Sequence, residues 1–130
     1  MVIGPRWDKY NLNPWVYDLK EDTWSNKLTP NGKTLPPLPV EDEEIFEEML
    51  YGNAVFIGNT VYWFKSTDAL ILDLSTLENW SKVALSGYCG NHPVVVPFSP
   101  TLVAIVGGWG NSLMMNTVEI FNTETRTSQV

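Results

Sequence analysis

Residues 70–80 read LILDLSTLENW, and this stretch decides the fold. It opens with β-branched and large apolar residues, which favour a strand. Asp73 ends that strand, and an aspartate there can accept hydrogen bonds from the backbone ahead of it and begin a turn. Trp80 follows, and its ring is large enough to fill a gap between neighbouring sheets. The stretch therefore predicts a strand, a polar turn and the start of a second strand.

The same pattern occurs twice more, as WVYDLKEDTW at residues 15–24 and as VEIFNTETRTS at residues 118–128. We call Asp18, Asp73 and Asn122 the turn anchors, and they are separated by 55 and 49 residues. Recurrence at a spacing of this size indicates a structural repeat, in which each copy is one small unit that packs on its neighbours.

Two further strands are predicted ahead of each of the second and third turn anchors: residues 53–57 and 60–64 ahead of Asp73, and residues 93–98 and 101–106 ahead of Asn122. Gly58-Asn59 is typical of a tight hairpin turn between the first two, and Ser99-Pro100 turns between the others. Each complete unit is thus predicted to have four short antiparallel strands, which makes the chain all-β. The first unit begins at residues 1–4 with the end of its second strand, so its first strand is missing.

The recurring unit resembles the kelch repeat. In that family an apolar strand ends in a glycine pair, and an aromatic residue and a tryptophan follow it. The matching residues here are Tyr17, Asp18, Trp24, Asp73, Trp80, Gly107, Gly108, Phe121 and Asn122. Ser128 stands where the third tryptophan is expected, so that packing contact should be lost or changed. The resemblance implies kelch-type β-propeller blades of four antiparallel strands.

The resemblance also divides the chain. It implies an incomplete first blade at 1–30, a proline-rich and acidic insertion at 31–50, a second blade at 51–85 and a third blade at 86–130. The glycine pair is absent from the first two units, where Gly4-Pro5 and Phe64-Lys65 stand in its place. We expect those two sites to lack the sharp left-handed turn that a glycine pair permits.

About two and two-thirds units cannot close a ring, because propellers have 4–8 blades. The chain is then a fragment of a longer propeller, a truncated product, or a protein that assembles with copies of itself. An open arc exposes apolar blade faces at both ends, which favours self-association. The rival architecture is a free-standing β-sandwich.

Charge and cysteine content narrow the partners and the compartment. Fifteen acidic residues against eight basic ones give a net charge of −7, which repels phosphate backbones and argues against nucleic acid. Cys89 is the only cysteine, so no intrachain disulfide forms, and this predicts a cytoplasmic location. No run approaches the roughly 20 apolar residues that span a bilayer, so no membrane partner is predicted.

The loops between the second and third strands of each unit are candidate binding sites. In a four-stranded antiparallel blade these loops open on the same side as the link to the next blade, and family members commonly bind proteins or peptides there. The candidate contacts are Arg6, Trp7, Lys65, Trp109 and Asn111. The alternative is that the two tryptophans pack on neighbouring loops.

The insertion offers two further motifs. Residues 41–48 read EDEEIFEE, and Glu43, Glu44 and Phe46 fit a short amphipathic helix that could dock a basic partner. The alternative is a solvated loop with no partner. Residues 33–39, KTLPPLP, match the pattern that SH3 domains bind, although a kelch linker explains the same prolines.

Catalysis is not predicted. His92 is the only histidine, which excludes a histidine-based metal cluster, and no metal or other cofactor is expected. Cys89 and His92 could form a nucleophile and base on spacing alone, but a buried cysteine and a turn-capping histidine explain them better. The resemblance implies a protein–protein interaction scaffold, such as a substrate adaptor or a cytoskeletal or regulatory module. The alternative is a non-catalytic slice of a propeller enzyme similar to galactose oxidase.

Overall fold

The computed structural model describes residues 2–5, 14–25, 27–28, 33–34, 36, 53–110 and 113–130. All regular structure in these ranges is β, and they contain no helix, which confirms that the fold is all-β. Several predictions lie outside the described residues. They are the helix of the acidic run with Glu43, Glu44 and Phe46, residues 35 and 37–39 of the proline-rich motif, and the contacts Arg6, Trp7 and Asn111.

The first sheet has three antiparallel strands in chain order, β1 (Val2–Pro5), β2 (Pro14–Asp18) and β3 (Thr23–Ser25). Tyr17 of β2 pairs with Val2 on one side and with Trp24 on the other. The opening residues therefore supply the strand that precedes the turn-anchor strand, as predicted. A small hairpin follows, formed by β4 (Lys27–Leu28) and β5 (Lys33–Thr34).

The second and third sheets each have four antiparallel strands. The second contains β6 (Asn53–Ile57), β7 (Thr60–Lys65), β8 (Asp68–Asp73) and β9 (Ser81–Ala84), in that order. The third begins with β10 (Val94–Pro97) and β11 (Leu102–Val106). The hairpin β12 (Trp109–Gly110) and β13 (Leu113–Met114) comes next, and β14 (Val118–Asn122) and β15 (Thr127–Gln129) complete the sheet. The predicted four-stranded unit is confirmed twice.

The turn anchors cap their turns as their chemistry predicts. Asp18 accepts hydrogen bonds from the backbone of Lys20 and Glu21, Asp73 from Ser75, and Asn122 from Glu124 and Thr125. Four residues after each anchor the backbone adopts a left-handed conformation, with φ of 53° at Asp22, 51° at Leu77 and 56° at Arg126. The three turns thus share a capping anchor and a left-handed residue, although the second turn is longer: β9 begins eight residues after Asp73, whereas β3 and β15 each begin five residues after their anchor.

The register corrects our alignment of the glycine pair. Val61 pairs with Leu72 and Val103 with Phe121, in each case one residue before the turn anchor. Counting on from these pairs, Lys65-Ser66 matches Gly107-Gly108. Ser66 has φ of 42°, so our expectation that the second unit lacks a left-handed turn is wrong. Gly4-Pro5 is also misaligned with the glycine pair, because Gly4 pairs with Trp15 inside β1. The residues of the first unit that match the glycine pair are 6–7, which lie outside the described residues.

The main core lies between the second and third sheets. Its rings meet edge to face, with the Phe121 centroid 5.3 Å from Phe64 and 5.9 Å from Tyr62. Val103 and Ile105 fill the same layer and are almost fully buried. Aromatic and β-branched side chains of this kind supply most of the apolar area that packed sheets remove from water.

A second cluster covers the opposite side of the second sheet. It consists of Val61, Trp63, Leu70, Leu72 and Trp80, all buried. The Trp63 and Trp80 rings meet edge to face with centroids 6.4 Å apart, and the indole nitrogen of Trp80 donates a hydrogen bond of 3.1 Å to the carbonyl oxygen of Pro36. Trp80 therefore fills space beside its sheet, as its size predicted.

The third tryptophan position is polar. Phe121 pairs with Ser128 just as Tyr17 pairs with Trp24, so the positions correspond. The Ser128 hydroxyl donates to the buried Glu119 carboxylate at 2.5 Å and accepts from the backbone of Ser86 at 2.7 Å. The same carboxylate oxygen accepts from the Gly87 backbone at 3.0 Å. The packing contact is changed, as expected, into a hydrogen-bonded group that holds β14 and β15 to residues 86–87.

Candidate protein-binding surface

Backbone hydrogen bonds tie the β7–β8 turn to the segment that connects the second and third sheets. We call residues 85–93 the connecting segment. The carbonyl oxygen of Thr67 accepts from the Leu85 backbone at 2.7 Å, and that of Ser66 accepts from Cys89 at 2.8 Å. Main-chain bonds of this kind fix a loop without depending on side-chain rotamers, so the turn and the connecting segment form one layer.

The loop between β11 and β14, residues 107–117, joins the same layer. Asn91 and Trp109 exchange two backbone hydrogen bonds of 2.7 Å. Within the loop, Met115 donates to the carbonyl oxygen of Gly108 at 2.8 Å. The β7–β8 turn, the connecting segment and this loop are together called the loop face. For the second sheet, the loop lies beside the link to the next sheet, as predicted. The long segment 26–50, which is expected on the same side, lies mostly outside the described residues.

Gly108 and Gly110 permit this close packing. Gly108 has φ of 111°, and a Cβ atom there would collide with the carbonyl oxygen of Cys89. A Cβ atom on Gly110 would collide with the ring of Tyr88. At Gly108, only glycine combines a positive φ with so near an approach of the connecting segment. The glycine-rich end of β11 therefore serves to lay the loop against the connecting segment.

The β12–β13 hairpin presents three exposed apolar side chains. Trp109 is 48% exposed, Leu113 70% and Met114 75%. Trp109 pairs with Met114 across the hairpin, so the two side chains are cross-strand neighbours. Hydrogen bonds already hold the hairpin backbone, so a partner that buries these side chains need not order it, which makes them suitable contact residues.

The predicted contacts have different surroundings. Trp109 is about half exposed, and its backbone pairs with Asn91. The predicted contact with a partner and the alternative of packing on a neighbouring loop therefore both stay predictions. Lys65 ends β7 and is only 6% exposed, so it offers little area to a partner. Sequence reasoning missed Leu113 and Met114. Their signal was an apolar run, LMM at residues 113–115, between the glycine pair and the next strand.

Cys89 is buried in the main core, as expected from the sequence. Burial and, to a smaller extent, the nearby Glu119 carboxylate together raise the pKa of its thiol to about 12. The thiol is therefore protonated at neutral pH, and it donates weakly to the carbonyl oxygen of Gly90 at 3.8 Å. A thiol in this state is a packing group rather than a nucleophile. His92 is exposed with φ of 54°, and its capping role stays a prediction.

The described residues contain no group of three or more histidine, cysteine, aspartate or glutamate side chains placed to hold a metal ion. Nor does any helix long and apolar enough to cross a membrane occur among them.

Neither a scan against models of known protein families nor a search of curated proteins finds a match to this chain. The loop face must therefore be interpreted from its own geometry and chemistry.

Proposed function

We propose that this chain is a segment of a kelch-type β-propeller and acts as a non-catalytic scaffold that binds a protein or peptide partner. The repeated backbone supports this architecture. Three turns share a capping anchor and a left-handed residue four positions later, and two complete units share one strand order. A substrate adaptor or a cytoskeletal or regulatory module in the cytoplasm would use such a unit.

The β12–β13 hairpin is the observation that carries the binding proposal. Its position in the loop face places Trp109, Leu113 and Met114 at the surface, while backbone bonds to Asn91 hold it in place. A partner segment with apolar side chains would bury these three groups. Removing one such anchor from the centre of an interface commonly costs 2 kcal/mol or more, about 30-fold in Kd.

The experiment selects peptides from a random display library against the folded chain and measures their Kd by calorimetry. We expect selected peptides to bind Trp109→Ala at least tenfold more weakly than the parent chain, and the double variant L113S/M114S more weakly still. Leu19→Ser is the matched control, because Leu19 is an equally exposed apolar residue on the β2–β3 turn. Peptides that bind Trp109→Ala and the parent chain equally would contradict the proposal.

A further inference from the structure

We propose that the partner of the loop face adds to the outer edge of β13 as one more strand, and that it is an extended, uncharged apolar segment of another protein. The proposal deepens the function proposed above and rests on it, because it says how a partner engages the hairpin that carries Trp109. The outer edge of β13 is the side that faces away from β12. Within the described residues no strand pairs with it.

The pairing of β12 fixes where the backbone groups of Met114 point. Trp109 exchanges two backbone hydrogen bonds with Asn91, so its N–H and carbonyl groups point away from β13. In an antiparallel pair, two opposite residues either both direct these groups at each other or both direct them away. Met114 is opposite Trp109, and Met115 at the next position donates to Gly108, as this alternation requires. The N–H and carbonyl oxygen of Met114 therefore point outward from the outer edge of β13.

This outer edge is open to solvent, since Met114 is 75% exposed and Leu113 is 70% exposed. A donor and an acceptor on one residue match the two hydrogen bonds that a residue of an added strand exchanges. The backbone of Asn91 makes the same exchange with Trp109 on the other side of the hairpin. A partner strand would thus repeat on β13 a contact that already exists on β12.

The edges of the two four-stranded sheets each have a feature that opposes the addition of a strand. Lys82 is exposed in the edge strand β9, and the edge strand β10 ends at Pro97, which has no N–H to donate. In β15 the carbonyl oxygen of Ser128 already accepts from the hydroxyl of Ser86, and β6 lies against β10. Lysine, proline and covered edges protect sheets from unwanted strand pairing. The two residues of β13 are leucine and methionine, which give no such protection.

Both faces of the hairpin favour apolar side chains on the partner. Met114 and Trp109 lie on one face, and Leu113 lies on the other, where the ring of Tyr88 lies against Gly110. Side chains of a strand alternate between the two faces of a sheet. The partner residue opposite Met114 would therefore contact the first face, and its two neighbours would contact the second.

The surface is uncharged as well as apolar. Residues 85–91 and 107–118, which build the hairpin and its support, contain no charged side chain. Binding there relies on apolar burial and backbone hydrogen bonds, which salt screens little. We expect Kd to change less than about twofold between about 0.05 and 0.5 M salt, whereas attraction between charges would weaken steeply over this range.

Scanning the partner backbone with N-methyl groups tests the strand pairing. Peptides that are selected on the parent chain and weakened by Trp109→Ala are remade with one N-methylated residue at a time, and calorimetry measures their Kd. Methylation of the one residue that donates to Met114 should weaken binding about tenfold or more, because it removes a backbone hydrogen bond. Methylation of either neighbouring residue, whose N–H points away from β13, should change Kd less than about threefold.

Two variants of Met114 test the same pairing from the side of the chain. Met114→Pro removes the outward N–H, which serves no bond within the hairpin, so the edge strand should tolerate it. Met114→Ala is the matched control, because it shortens the side chain and keeps the N–H. We expect selected peptides to bind Met114→Pro about tenfold more weakly than Met114→Ala. Far-UV circular dichroism checks folding, and the N-methyl scan on the parent chain decides if Met114→Pro does not fold.

The outcomes separate this proposal from the proposed function. Peptides that need Trp109 but tolerate every N-methyl group, or bind Met114→Pro as tightly as Met114→Ala, would overturn strand addition and leave the proposed function standing. Peptides indifferent to Trp109→Ala would overturn both. Steep weakening with salt would contradict an uncharged partner. A parent chain that light scattering shows to be a dimer, with Met114→Pro a monomer, would make a second copy the occupant and would also overturn the proposal.

Discussion

The second and third sheets carry a pair of side chains at the same two positions of the repeat, and the pair is apolar in one sheet and polar in the other. In the second sheet Leu70 and Trp80 are apolar and buried together. In the third, Glu119 and Ser128 occupy the matching positions and hydrogen bond to each other. Both members of the pair differ between the units, because a buried carboxylate needs donors and an indole ring needs apolar neighbours. The backbone of the unit thus accepts either chemistry, provided that the pair is matched.

The largest expected loss of stability comes from removing the tryptophan of the apolar pair. Trp80→Ala should lower the free energy of unfolding by about 3–5 kcal/mol, because it leaves a cavity beside Trp63 and removes the hydrogen bond to Pro36. Trp24→Ala is the matched control, since Trp24 occupies the same position in the first sheet but is half exposed, and it should cost less than about 1 kcal/mol. Urea titration followed by circular dichroism measures both. Equal losses would show that Trp80 does not pack as described.

The polar pair should have an intermediate effect. Glu119→Ala leaves the Ser128 hydroxyl and the Gly87 backbone without their shared acceptor, and we expect a loss of about 1–3 kcal/mol. Ser128→Ala tests the other member. In a double-mutant cycle the two losses should not add, because both variants break one hydrogen-bonded group. Strictly additive losses by urea titration would mean that Glu119 and Ser128 act independently.

The smallest effect concerns the turn anchors, of which Asp73 titrates and Asn122 does not. Hydrogen bonds from Ser75 hold the pKa of Asp73 below its ordinary value of 3.8. A lowered folded-state pKa contributes stability above 3.8 that is lost as the pH falls through the lowered value. Asp73→Asn should therefore slightly flatten the acid limb of a plot of stability against pH. NMR titration of Asp73 in the parent chain should give a pKa below 3.8. A pKa at or above 3.8 would contradict the capping role.

Local chemistry explains which parts of the fold could be predicted from the sequence. Gly58-Asn59 identified a hairpin, and Asp73 identified a capped turn, because each acts on residues within three positions. The left-handed turn at Ser66 was missed, since serine rarely marks that conformation. Burial of Glu119 was missed because its donors at Gly87 and Ser128 lie 32 and 9 residues away. No local pattern records such a pairing.

In the candidate binding surface, too, only features that depend on neighbouring residues could be predicted. Trp109 was predicted because a tryptophan beside a glycine pair stands out in the sequence. The exposure of Leu113 and Met114 depends on a short hairpin whose backbone is fixed by Asn91, 18 residues before Trp109 in the chain. The burial of Lys65 likewise depends on its strand being central in the second sheet. Both facts come from tertiary packing rather than from residue type.

The central claim is that successive sheets are copies of one propeller unit arranged around a common axis. A crystal structure of the chain measures this directly, through the rotation that superposes one sheet on the next. We predict that the rotation from the first to the second sheet matches that from the second to the third and lies between about 45° and 90°, the range for rings of 8 to 4 blades. Sheets stacked face to face as a sandwich, with no common rotation axis, would contradict the claim.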